Sequence, residues 1–326
     1  MLGQLPHSPL FIIGLPRSGT KLLRDLLNNH SKLSIPMAET GFIPFLYNNF
    51  HRYGDLERKK NFDKLYRYIS DTTFFSYIPN AKEIWNKEKW YNSVEEFSLA
   101  GVISAFYVMH AQYQGKTIWG DKTPSYIGHL DLINQVFPNA KFIHILRDVR
   151  DYCISVNKAW GKNIYRASQV WVDKITKCQT DVDRIQCIRY FELRYEDLLD
   201  DPQQALKRIS SFIGIDFEPD ILNLKVPSEN LGDTRGHCEI VKHNYGKWKS
   251  ILNIEEIKQI EKIAGALLDA LGYDVLYVKG SKKISATNMF RYRISDSINL
   301  LIFRRRTTGS FRQALKWIVR YRGSVA

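Results

Sequence analysis

The seven residues Gly14-Leu15-Pro16-Arg17-Ser18-Gly19-Thr20 have the make-up of an anion-binding loop. Set between a strand and a helix, a Gly-x4-Gly loop aims backbone N–H groups at one point, with the positive end of the helix dipole behind them. Phosphate is the ligand such a loop takes. A Walker A loop would place Lys and then Ser or Thr directly after the second glycine. Here Thr20 follows Gly19, Lys21 comes one place late, and Arg17 stands inside the loop. The expected ligand is therefore a phosphate other than the β,γ-phosphates of ATP. Taken alone, the loop also fits a tight strand-to-helix turn that binds nothing.

The flanking sequence supplies the elements the loop needs. Pro9-Leu-Phe-Ile-Ile-Gly14 is a nearly all-apolar run and predicts a buried parallel strand. Leucines at 22, 23, 26 and 27 put one apolar face on a helix over 18–29. Further strands are expected within 32–39, over 116–120, over 140–147 and over 187–193. Helices are expected over 125–137, 148–159, 167–184, 202–213 and 254–271, the last ended by Gly272. Residues 40–115 are rich in aromatics, mostly helical in pattern and without a strong strand. Strands alternating with helices imply an α/β fold of three αβα layers around a parallel sheet. Residues 1–278 form the main domain, with a substrate-side helical insertion at about 40–115, and 279–326 form a basic extension.

At the loop and beyond it the chain resembles the sulfotransferase superfamily. Gly14-Leu-Pro-Arg-Ser-Gly-Thr-Lys-Leu-Leu-Arg24 looks like that family's 5'-phosphosulfate loop, in the Pro-Arg-Ser-Gly-Thr form of the protein-tyrosine and Golgi carbohydrate enzymes. The resemblance implies 3'-phosphoadenosine-5'-phosphosulfate (PAPS) as co-substrate, held by Pro16, Arg17, Ser18, Gly19, Thr20 and Lys21, and no metal. The family's second signature, an arginine ending a strand and a serine eight residues on, matches Arg147 and Ser155. It implies a site for the 3'-phosphate, which suits a planar guanidinium and a small hydroxyl donor. Without the loop, Arg147 would read as a helix-end arginine paired with Asp148 or Asp151. Tyr195 matches a tyrosine near the nucleotide base. Gly246-Lys-Trp248 matches the end of a late cofactor loop, in which Lys242 is the candidate cation and Arg235 and His243 are further candidates. A basic residue expected four places after the serine is replaced by Ala159, with Lys158 beside it. The resemblance spans most of 9–275 and is nearest to the tyrosylprotein type.

Sulfuryl transfer is an in-line displacement, so the site needs a base for the acceptor hydroxyl and cations for the departing phosphate oxygen. Glu39, in Glu-Thr-Gly-Phe-Ile-Pro44, resembles the catalytic glutamate of the tyrosylprotein enzymes and is the expected base. Its alternative role is to cap a helix starting near Thr40. Histidine is the alternative base, but His144 falls inside a core strand, and His51 and His110 have no motif around them. Lys122, in Asp-Lys-Thr-Pro124, resembles the lysine that steadies the bridging oxygen, a task Arg17 would share.

The net charge of +13 is uneven: residues 279–326 carry +11 and the rest +2. A near-neutral main domain does not suggest nucleic-acid binding. Phe311, Leu315 and Ile318 share a face of a basic helical segment, so residues 290–322 are expected to meet an anionic membrane or to pack on the domain. Four scattered cysteines suggest reduced thiols, and the start has no leader-like segment, so a cytoplasmic protein at the inner membrane face is expected. The helical region 42–114 is expected to shape the acceptor site; its aromatics do not choose between glycan, glycolipid, phenol and tyrosine, and most of them are expected to be core. The competing readings are a P-loop kinase-like phosphotransferase and an inactive nucleotide-binding scaffold. ATP has no 3'-phosphate for Arg147 and Ser155 to hold, which argues against the first.

Overall fold

Short apolar runs become strands where neighbours bury both of their faces. The computed structural model describes residues 8–186, 189–228 and 232–308. In chain order its elements begin with β1 (Leu10–Gly14), α1 (Thr20–Asn28) and β2 (Leu33–Ser34). Six helices follow: α2 (Ile43–Asn49), α3 (Lys59–Ser70), α4 (Thr73–Tyr77), α5 (Ala81–Ile84), α6 (Lys87–Ser93) and α7 (Leu99–Tyr113). Then come β3 (Ile118–Lys122), α8 (Leu130–Val136), β4 (Lys141–Leu146), α9 (Val149–Trp160), α10 (Ile164–Arg184) and β5 (Tyr190–Arg194). The chain continues with α11 (Tyr195–Asp200), α12 (Pro202–Ile213), α13 (Trp248–Ile251), α14 (Ile254–Ala270) and α15 (Ala286–Thr308).

The five strands are all parallel, in the order β2-β3-β1-β4-β5. Side chains alternate between two faces. Phe11, Ile13, Phe142 and Leu146 face a core built with α7, α9, α10 and α14, while Leu10, Ile12, Ile143 and Ile145 face α1, α11 and α12. Three αβα layers result, as the sequence pattern predicts. β1 lies between β3 and β4, with β2 and β3 on one side and β4 and β5 on the other, and ligands of such sheets gather at the carboxyl ends of the strands where the strand order reverses.

Several boundaries differ from the expectations. β2 is only two residues long. β3 ends at Lys122, not at residue 120, because Asp121 and Lys122 pair with Phe11 and Ile12 despite poor strand propensity. The helix expected over 125–137 is a 3-10 turn, Pro124–Gly128, followed by α8, with His129 in a non-helical conformation between them. α10 begins three residues early, capped by the Asn163 side chain on the Tyr165 and Arg166 N–H groups.

The 40–115 segment holds no strand, and most of its aromatics belong to or pack against the core, as expected. Phe74, Trp85 and Trp90 are fully buried, and Trp85 stacks on Phe106 at 4.4 Å. Burying each such side chain contributes about 1.5–3 kcal/mol. Phe45 and Tyr47 remain exposed on α2. Residues 276–278 donate their N–H groups to the buried Glu261 carboxylate, and the Gly280 and Lys282 N–H groups donate to the Glu261 and Lys262 carbonyls, so the start of the basic extension is tied to α14. The face expected at Phe311, Leu315 and Ile318 lies outside the described residues.

Candidate active site

Each of the five strands delivers one part of the site at its carboxyl end. β1 leads into the 14–20 loop, β2 toward Glu39, β3 ends on Lys122, β4 is followed by Arg147 and β5 by Tyr195. In the loop, the Ser18 N–H donates to the Leu15 carbonyl at 3.2 Å. Arg17 has φ 75°, a left-handed backbone unusual for a residue with a Cβ. Gly19 has φ 92°, and a Cβ there would collide with the Tyr195 ring. Ser18 and Thr20 are buried, Lys21 is half-buried and Pro16 is exposed.

The second motif meets the first. Arg17 Nε donates to Ser155 Oγ at 3.3 Å, across 138 positions of chain. Arg147 donates through Nη1 to the Arg17 carbonyl and through Nη2 to the Asn244 carbonyl, both at 3.0 Å. Its guanidinium lies 4.7 Å from the Tyr195 ring centroid. Arg147 Nε is buried and has no partner among the described residues. A buried, unanswered guanidinium N–H fits an anionic oxygen. The salt bridges to Asp148 belong instead to Arg150, which also pairs with Glu261 at 2.9 Å inside the core.

Arg17, Gly19, Leu22, Arg147, Tyr195 and Leu199 line one side of a cleft. Thr234, His237, Val241 and Asn244, from the late loop, line the other. That loop is held by Asp151, whose carboxylate accepts the Gly246 N–H at 2.5 Å and the Trp248 N–H at 3.1 Å. The Gly-x-Trp ending is therefore an anchor, with Trp248 packed 3.7 Å from the Arg150 guanidinium. Asn244 was missed by sequence reasoning: its Nδ2 donates to Tyr195 Oη at 2.9 Å while its carbonyl accepts from Arg147. Only its place two residues before Gly246 marks it. Lys242, Arg235 and His243 are exposed and do not line this cleft. Lys158 pairs with Asp233 of the late loop, and Ala159 is buried.

The expected base and its expected lysine meet at the end of β3. Lys122 Nζ donates to Glu39 Oε1 at 2.7 Å, with the lysine fully buried and the glutamate half-exposed. Burial pushes the Lys122 ammonium below its usual range, and Glu39 opposes that shift. Glu39 caps no helix: α2 starts at Ile43 without a side-chain cap. Behind the pair, Thr40 Oγ1 donates to Asp121 Oδ2 at 2.5 Å, and Tyr107 Oη donates to the same carboxylate. Burial raises the Asp121 carboxyl, while hydrogen bonds from Thr123, Thr40 and Tyr107 work against the rise. Neither His144 nor His110 is placed as a base. His144 is fully buried within β4 and pushed down to about 3 by burial. His110 bonds Ser34 and is pushed down to about 4.

The Sulfotransferase family pattern matches residues 9–219, and the chain belongs to this family. It is 30% identical over 169 residues to the omega-hydroxy-beta-dihydromenaquinone-9 sulfotransferase Stf3 of Mycobacterium tuberculosis, a match covering 47% of this chain and 40% of that protein. It is 21% identical over 299 residues to a putative protein-tyrosine sulfotransferase of Caenorhabditis briggsae, covering 86% of this chain and 94% of that one. The sulfotransferase domain of the Synechococcus PCC 7002 olefin synthase shares the fold, with a TM-score of 0.54 and 24% identity over 84% of this chain and 99% of that domain. The chain thus spans well under half the length of the mycobacterial relative.

Proposed function

We propose that the protein transfers the sulfuryl group of PAPS to the hydroxyl of an acceptor, with Glu39 as base. The observation that carries this reading is the 2.7 Å Lys122–Glu39 pair beside a loop whose Arg17 already touches Ser155. The acceptor oxygen attacks sulfur while Glu39 takes its proton. The bond from sulfur to the 5'-phosphate oxygen breaks, leaving 3'-phosphoadenosine-5'-phosphate. Lys122 and Arg17 face the charge that grows on that oxygen, which is where a fixed cation accelerates a displacement. In the free protein Lys122 rests on Glu39; on this reading, a phosphosulfate that draws Lys122 away releases the carboxylate to act as base. The buried Arg147 Nε and the Ser155 hydroxyl suit a 3'-phosphate, which ATP lacks.

The test is thermal shift with 3'-phosphoadenosine-5'-phosphate against ATP, followed by labelled PAPS with hydroxyl acceptors. Selective stabilisation by the 3'-phosphate nucleotide and label transfer abolished in Glu39→Ala are expected. Selective ATP binding would favour a phosphotransferase, and nucleotide binding without transfer to any acceptor would favour a scaffold.

We also infer that α15 rests on an anionic lipid surface. Phe290, Ile294, Ile298 and Ile302, four residues apart, are 65%, 46%, 53% and 47% exposed. The opposite face docks on the domain: Asp296 accepts the Asn163 N–H at 2.8 Å and pairs with Arg166, and Asn299 donates to the Gly161 carbonyl at 2.7 Å. With +11 over residues 279–326, a second copy would be repelled and anionic headgroups attracted. No described helix is long and apolar enough to cross a membrane. Sedimentation with phosphatidylserine-containing vesicles is expected to capture the protein, and Ile294→Asp/Ile298→Asp or removal of 279–326 to release it. Equal sedimentation of the intact and shortened chains would end the idea.

A further inference from the structure

Strand β3 sends its last residues to opposite faces of the sheet. Asp121 is level with Phe11 and Lys122 with Ile12, whose side chains belong to the two different cores. The segment after β2 straddles this strand end. Glu39 reaches Lys122 on one side, and its neighbour Thr40 reaches Asp121 on the other. Thr40 is also held through its backbone, whose N–H donates to Thr123 Oγ1 at 3.2 Å. Tyr107 Oη, whose proton goes to Asp121, lies 3.1 Å from Thr40 Oγ1, and Tyr126 Oη lies 2.9 Å from the same hydroxyl. Tyr107 is itself fixed, stacked 4.5 Å from Trp119 with the rings nearly parallel. Thr40, Tyr107, Asp121 and Tyr126 are all buried.

The two contacts differ in strength. A half-exposed ion pair is a weak tether, because water screens it and the entropy of two long side chains opposes it. Hydrogen bonds to a carboxylate sealed from water hold harder, because their loss would strand a buried acceptor. Lys122 cannot fix Glu39 alone. Once a co-substrate draws the lysine away, only the backbone at Thr40 keeps the base in place.

We propose that Thr40, Asp121 and Tyr107 form a clamp that sets Glu39 against Lys122, with Thr40 as a positioning residue, an inference that rests on the transfer reading above. Thr40→Val keeps the shape and removes the hydroxyl, and Thr40→Ser restores it. Crystal structures of the three proteins are expected to show the Glu39–Lys122 separation opening beyond about 4 Å only in the valine variant. The same variant should lose about 10²-fold in kcat, the scale of a 1 Å misplacement, with KM for PAPS unchanged, and the serine variant should recover it. A closed pair in Thr40→Val, or a serine variant as impaired as the valine one, would overturn the clamp. If Thr40→Val does not fold, Tyr107→Phe removes another hydroxyl from the clamp and is read the same way. The crystallographic comparison needs no turnover, so an inactive parent protein would sink the transfer reading and leave the clamp decided.

Discussion

Arg147 and Glu39 sit in differently built halves of one site. Arg147 is buried, donates to two segments of chain and lies against the Tyr195 ring, which Gly19 accommodates and Asn244 bonds. Glu39 is half-exposed and, among the described residues, bonds only Lys122 through its side chain. The half read as the nucleotide's is cross-braced in the free protein. The half read as the transfer centre keeps Glu39 open to solvent and, on the clamp proposal, fixes it from behind through the next residue. Binding needs a rigid cradle, whereas an acceptor hydroxyl needs an approach path to the base.

That contrast can be broken at several points. The largest effect is expected in the transfer half: Lys122→Met or Glu39→Gln should lower kcat by about 10²–10³-fold while 3'-phosphoadenosine-5'-phosphate still stabilises the protein by thermal shift. Because burial lowers the Lys122 ammonium, kcat/KM of the parent protein should fall as pH rises at values below the usual lysine range near 10.4, through loss of that proton. In the nucleotide half the pattern should reverse. Arg147→Ala should weaken nucleotide binding by about 10–100-fold, the equivalent of about 1.5–3 kcal/mol for a charged hydrogen bond, as read by calorimetry. Asn244→Ala, which removes a neutral brace, should weaken it by about 5-fold.

A further effect concerns stability alone and lies outside both halves. His144 is neutral when buried, with its proton affinity pushed down to about 3, whereas the unfolded chain takes up that proton near pH 6.5. Between these values the unfolded state binds more protons, so stability falls on acidification. His144→Phe should flatten that slope by about 1.4 kcal/mol per pH unit, measured by urea unfolding from pH 6.5 to 4. An unchanged slope would show that His144 is already neutralised in the unfolded state or not buried as described.

The parts legible in the sequence are those with a local cause. The 14–20 loop announces itself through glycines whose spacing serves a turn, and β1, β4 and α1 through apolar periodicity. The end of β3 was misjudged because Asp121 and Lys122 have little strand preference; pairing with β1 holds them extended. Lys242 was singled out by charge, while the contacts of the late loop run through Asn244, Gly246 and Trp248. Side-chain charge is visible in a sequence, but a loop held by its backbone N–H groups is not.

By itself the sequence determined the chemistry on offer: a phosphate loop with an internal arginine, a strand-end arginine with a serine eight places on, one glutamate and one lysine in matching segments. Only the tertiary structure decided which of them act together. Arg17 meets Ser155 across 138 positions, Lys122 meets Glu39 across 83 and Thr40 meets Asp121 across 81. Such contacts depend on which strands lie side by side and how they are registered. The order β2-β3-β1-β4-β5, which brings the carboxyl ends of non-consecutive strands to one edge, is a property of the folded sheet and of no local stretch of chain.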